Sequence, residues 1–263
     1  MRRRAFTAGL AAAASVGLLP GVTVSFDATA AEPVEVELLT SVALTSALSE
    51  LAPQFDRASG DKLVIGYSLI ADIRKRILNG ETADVIMLSR PVMDELLRQN
   101  KIVPGSIVNV AGTAVAVAVR AGAAKPDISS VAAFKRTLLA AKSVVYADPA
   151  KGGASGVYFA HVLDRLGIAE QMKPKTVLVP GAQAAEVVAK GGAEIGIGQT
   201  SEIMPVAGAR LVGPFPAELA STTLFAAGIG TGAKEPNAAK ALIRFLSGPV
   251  AASVFREKGF QPG

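Results

Sequence analysis

The stretch SVVYADPAKGGASGVYFAHVLDRLG, residues 143–167, decides the fold class. Its first half is a short β-rich run, and its second half carries the apolar spacing of an amphipathic helix from Ser155 onward. Between them lies a turn holding Gly152, Gly153, Ser155 and Gly156. A turn of this kind gathers backbone N–H groups and the positive end of a helix dipole at one point, and that combination receives anions.

Working outward, the same strand-to-helix unit recurs. On the carboxyl side, TVLVP (176–180), AEIGIGQ (193–199) and ARLVGPF (209–215) read as strands, with helices starting at Gln183 and Thr200. On the amino side, VEVELLT (34–40) leads to a helix whose Ala47, Leu48, Leu51 and Phe55 share a face, ended by Gly60. KLVIGYS (62–68) follows, with Ser68 placed to cap a helix that Gly80 closes, then DVIMLS (84–89) and a helix VMDELLRQN. GTAVAVAVR (112–120) and TTLFAAGIG (222–230) are long period-two runs, and two helices end the chain.

This alternation predicts an α/β fold of mixed, mostly parallel sheets flanked by helices. The two long strands predict crossings between two lobes, the first built from 32–117 and 215–263 and the second from 118–214. Ligands of open α/β sheets bind beyond the carboxyl ends of the strands. The cleft is therefore expected among helix starts: 40–45, 68–71, 89–90, 151–158, 180–183 and 199–201.

The first 31 residues read as an address. Arg2-Arg3-Arg4 precedes an apolar run from Ala8 to Leu19, too short to span a membrane, and Ala28-Thr29-Ala30-Ala31 supplies a cleavage site, so this is a twin-arginine-like signal peptide and the location is periplasmic. Losing Arg2, Arg3, Arg4 and Asp27 lowers the net charge from +5 to +3. With no tryptophan, three tyrosines and one solvated basic helix face, Arg74-Lys75-Arg76, no nucleic-acid partner is expected.

The chemistry narrows by elimination. Zero cysteines close disulfides, thiolate nucleophiles and zinc–thiolate sites. Neither a phosphate loop nor a dinucleotide fingerprint is present. Gly153-Ala154-Ser155-Gly156-Val157 stops one residue short of a nucleophile elbow, and His161, the one histidine, lies about 240° around the helix from Ser155. No metal-ligand spacing occurs, so no metal and no cofactor are expected. These exclusions predict a binding protein and not an enzyme, with no catalytic residue.

From Val36 to Pro262 the order of elements resembles the periplasmic molybdate-binding proteins of ABC importers. The resemblance is carried by Leu44–Leu48, Asn79–Val85, Asp148-Pro149 with Ser155–Tyr158, Val212–Pro216, the specific block Ser247–Phe255, and Gly259-Phe260. It implies a two-lobed periplasmic-binding-protein fold (type II) with two crossing strands as hinge. It further implies a monomer that closes on a small anionic ligand and delivers it to an ABC permease in the membrane.

The resemblance also implies neutral donors at helix starts. One donor serine falls on Ala43, with Ser41 nearby, and a second falls on Leu69-Ile70-Ala71, with Ser68 just before. Backbone amides at Ser155, Gly156 and Gly181 match, and a tyrosine of the family falls on Gln199. Three side-chain donors are thus replaced, each worth about 1.5–3 kcal/mol to a buried oxyanion. The expected ligand is accordingly a small anion, an organic carboxylate in preference to molybdate, with Arg90 and Lys151 as its cation partners. The alternative is a secreted enzyme or sensor on the same scaffold acting on a small anionic molecule.

Overall fold

The computed structural model describes residues 32–263; the export signal expected over residues 1–31 lies outside them. In chain order the elements are β1 (Glu35–Ser41), α1 (Thr45–Ser59), β2 (Lys62–Ser68), α2 (Ile70–Leu78), β3 (Val85–Ser89), α3 (Arg90–Arg98) and β4 (Val108–Arg120). Then come α4 (Val131–Ala140), β5 (Val144–Ala147), α5 (Ala154–Arg165), α6 (Ala169–Met172), β6 (Thr176–Val179), α7 (Ala184–Ala189), β7 (Ile195–Gln199) and α8 (Thr200–Ile203). The chain closes with β8 (Ala209–Pro214), β9 (Thr222–Ile229), α9 (Pro236–Leu246), α10 (Pro249–Glu257) and β10 (Gln261–Pro262).

Two lobes share β4. Its first half, Val108–Ala114, pairs antiparallel with β9 in the order β2-β1-β3-β9-β4, and β10 pairs on its other side. From Val115 onward it pairs antiparallel with β7 and β8 in the order β8-β4-β7-β5-β6. Each lobe holds three parallel strands in matching order, β2-β1-β3 and β6-β5-β7. The chain returns to the first lobe through 215–221, where Phe215 N donates to Val115 O and Val115 N to Ser221 O.

Alternation along the strands divides each core into two faces. Val36, Leu38, Val85 and Met87 face α1, α9 and α10, packed on Leu48, Leu51, Phe55, Leu242 and Phe255. Leu39, Ile86 and Leu88 face α2 and α3, on Ile73, Ile77, Met93 and Leu96. In the second lobe Val115, Val117, Ile195 and Ile197 meet Phe134, Phe159 and Phe215. Asp84, only 2% exposed, ties the first lobe together by accepting from the amides of Glu37, Lys234 and Glu235 at 2.7–2.8 Å.

Three readings change. The second long strand, β9, does not cross: it pairs only with β3 and the first half of β4, so the second crossing is the segment 215–221. Ser68 is not the cap of α2: it ends β2 in register with Ser41, its Oγ donates to Asp72 Oδ2 at 3.2 Å, and the extended Leu69 (φ −67°, ψ 148°) stands at the N-cap. The helix after β3 begins at Arg90, with Pro91 in its first turn, where a missing N–H costs nothing. Helices α4 and α6 and the two-residue β10 are additions to the sequence reading.

Candidate functional site

The carboxyl ends of β1, β2, β5, β6 and β7 converge on one pocket. It is lined by Ser41, Val42 and Ala43 after β1, Leu69 and Ile70 after β2, Ala147 and Gly152–Ser155 after β5, Gly181 and Ala182 after β6, and Gln199 and Glu202 from β7 and α8. The pocket's volume is about 20 Å³, the scale of a single water. Anything larger needs this space to widen.

The glycine turn explains the fit. Gly152 adopts φ +75°, and a Cβ there would lie 3.0 Å from Ala71 Cβ on α2, so the turn closes directly on the opposite lobe. A Cβ at Gly156 would lie 1.9 Å from Ala147 O, so the bare Cα lets α5 sit down on the end of β5. Neither α2 nor α5 has a side-chain cap. The free amides of both first turns, with the positive ends of two helices, therefore stand at the pocket.

Buried hydroxyls and an amide complete the donor set. Ser41 and Ser155 are each 4% exposed and Gln199 is 2% exposed. Ser41 Oγ accepts from Ala43 N at 3.3 Å. Gln199 faces the amide of Glu202 in a capping arrangement, but its Oε1 has no well-formed hydrogen bond.

Glu202 is the residue that sequence reasoning missed. Its Oε2 accepts from Gln199 N at 2.9 Å, and burial pushes its carboxyl up to about 7 against the opposing effect of that hydrogen bond. The helix that bears it is held by a hydroxyl knot on the crossing strand. Thr113 Oγ1 lies 2.9 Å from Thr200 Oγ1 and 3.1 Å from Ser201 Oγ, while Thr200 Oγ1 donates to Gly259 O at 2.6 Å. In sequence, Gln199-Thr200-Ser201-Glu202 has the spacing of a capping box, which gives the glutamate a purely local purpose.

Of the expected residues, Ser41, Ala43, Leu69, Ser155, Gly181 and Gln199 line this pocket together. Ser68 and Gly156 lie behind it, occupied as described. Arg90 lines a separate groove of about 710 Å³ that shares Ile70, Gly152 and Ala154 with the pocket and also presents Tyr158, His161 and Thr222. There its guanidinium donates to Asp94 Oδ1 and Asn109 Oδ1, both at 2.9 Å. Lys151 is exposed at the end of a 3₁₀ turn and lines neither space. Among the described residues no group of His, Cys, Asp or Glu is placed to hold a metal ion.

Comparison with known proteins places this geometry among relatives. The profile of the bacterial extracellular solute-binding protein family matches residues 36–261. An aconitate isomerase of Pseudomonas sp is 34% identical over 89% of this chain and 90% of its own length. The molybdate-binding protein ModA of Azotobacter vinelandii is 28% identical over 89% and 92%. The solved periplasmic molybdate-binding protein of Azotobacter vinelandii superposes with TM-score 0.72 at 21% identity, covering 87% of this chain and 99% of that one. The first of these relatives overturns the expectation that the chain is not an enzyme. The exclusions in sequence rested on histidine, thiolate and metal motifs, and a lone carboxyl such as Glu202 belongs to none of them.

Proposed function

The chain belongs to the bacterial extracellular solute-binding protein family, and from that premise we propose that it holds a small polycarboxylate between its lobes and isomerises it by proton transfer through Glu202. The observation that carries this reading is the placement of Glu202, the one ionisable side chain among the residues lining an anion-receptive pocket, where burial pushes its carboxyl up to about 7. A general acid–base catalyst works best with a pKa near the operating pH. The 34% identical aconitate isomerase supplies the substrate class.

Aconitate carries a methylene between a carboxylate and a carbon–carbon double bond. Ionised Glu202 takes one methylene proton, the electron pair of that C–H bond spreads over the three-carbon allylic system and its carboxylates, and the proton returns to the far carbon. The double bond moves by one position, and its new geometry decides the cis or trans product. Ser41, Ser155, Gln199 and the free amides of α2 and α5 hold carboxylate oxygens and stabilise the charge that develops on them. Leu69 and Ile70 pack against the carbon skeleton, and Arg90 receives a distal carboxylate from the groove.

Conversion in both directions tests the reading. Purified protein added separately to cis-aconitate and to trans-aconitate should drive both to one mixture, followed by chromatography; stocks that stay unchanged overturn it. A second reading, favoured by family membership, adds export through the twin-arginine segment and hand-over of a bound anion to a membrane permease. Uptake of labelled aconitate by cells with and without the chain tests that step.

A further inference from the structure

We infer that this pocket takes up its anion together with one proton, carried on Glu202, so that a ligand carboxylate is recognised by a carboxylic acid. The inference rests on the reading above that an anion enters here, and it assigns Glu202 a recognition role in addition to proton transfer.

Of the fourteen residues lining the pocket, Glu202 alone has an ionisable side chain, and no cation accompanies it. The elements packed on α8 are β4, β7, β8, α7 and the turn after β1. Their charged residues are Arg120, Arg210 and Glu186. Arg120 reaches toward Gly191, Arg210 donates to Ala123 O at 2.7 Å, and Glu186 is outside the lining. In the adjoining turn Lys258 is paired with Glu50 at 2.9 Å. Across the pocket, Asp72 is bonded to Ser68, Asp148 to Ala150 N, and Lys151 is exposed. None of them enters the lining.

An anion in such a space meets a like charge, with no cationic side chain in the lining to offset it, unless the carboxyl is neutral. Protonation converts that repulsion into an O–H···O⁻ hydrogen bond, the strong charge-assisted kind. Burial has already raised the carboxyl to about 7, and a neighbouring anion moves it further in the same direction. Binding therefore favours the acid form while proton abstraction needs the ionised one. Affinity falls with rising pH as turnover rises, and weak-acid anions such as carboxylates are favoured over sulfate.

The test uses tricarballylate, which resembles aconitate but has no double bond to move. Titration calorimetry at about pH 8, in buffers of different ionisation enthalpy, should show close to one proton taken up per ligand, with Kd weakening about tenfold per pH unit above 7.5. In Glu202→Gln the uptake and the pH dependence should both vanish. Binding without uptake in the wild type, uptake unchanged in Glu202→Gln, or no binding of tricarballylate overturns the inference. Isomerisation of aconitate is scored on the same preparation. Its absence with proton-linked binding intact removes only the isomerase reading, and its presence without proton uptake removes only this one.

Discussion

At the scale of single residues, Glu202 trades stability for function. Its folded pKa of about 7 stands above the ordinary 4.5, so its contribution to folding is fully present below 4.5 and is lost as pH rises through 7. That rise corresponds to a loss of about 3 kcal/mol. Glu202→Gln, which keeps an acceptor for Gln199 N, should gain up to about 3 kcal/mol over the wild type between pH 4 and pH 8, as read from urea unfolding at both pH values. Parallel stability curves for the two proteins would contradict this. Asp84 stabilises the fold by accepting three backbone N–H groups, from Glu37 in β1 and from Lys234 and Glu235 just before α9. Asp84→Ala leaves those donors buried and unpaired, and a loss of about 3–5 kcal/mol in unfolding free energy is expected.

At the scale of elements, the strand–turn–helix at 143–167 carries the site by close packing. Gly156→Ala would drive a Cβ to 1.9 Å from Ala147 O, which lifts α5 off β5. The expected cost is about 2 kcal/mol or more, together with weaker tricarballylate binding; a thermal midpoint and Kd equal to the wild type would contradict it. Such elements were legible in sequence where hydrophobic period and punctuation agreed. KLVIGYS matches β2 to the residue, and the five strand ends that form the pocket were all anticipated. What was not legible depended on contacts distant in sequence. Glu202 reads as a local capping residue until β1 and β5 surround it, and its shift follows from burial, which no spacing encodes. Ser68 showed a cap's chemistry, but register with Ser41 keeps it in β2.

At the scale of the whole molecule, a pocket of about 20 Å³ cannot admit a six-carbon ligand without motion of one lobe against the other. Ala71 on α2 and Gly152 after β5 meet across that boundary, a Cβ at 152 lying 3.0 Å from Ala71 Cβ, near the range a disulfide bridges. The chain has no native cysteine to interfere. Oxidised Ala71→Cys/Gly152→Cys should bind tricarballylate at least tenfold more slowly than the wild type in stopped-flow, and reductant should restore the rate; equal rates in both redox states would show that entry needs no opening. Whether a solute-receptor fold performs proton transfer through one carboxyl is decided by proton NMR of trans-aconitate incubated with wild type and with Glu202→Gln. With subsaturating trans-aconitate, the vinyl signal of the cis isomer should grow with the wild type at a rate that rises through about pH 7 as ligand-free Glu202 ionises, and should stay absent with Glu202→Gln although tricarballylate still binds. A wild type that leaves trans-aconitate unchanged, or a Glu202→Gln variant that isomerises it at the wild-type rate, would contradict proton transfer through Glu202.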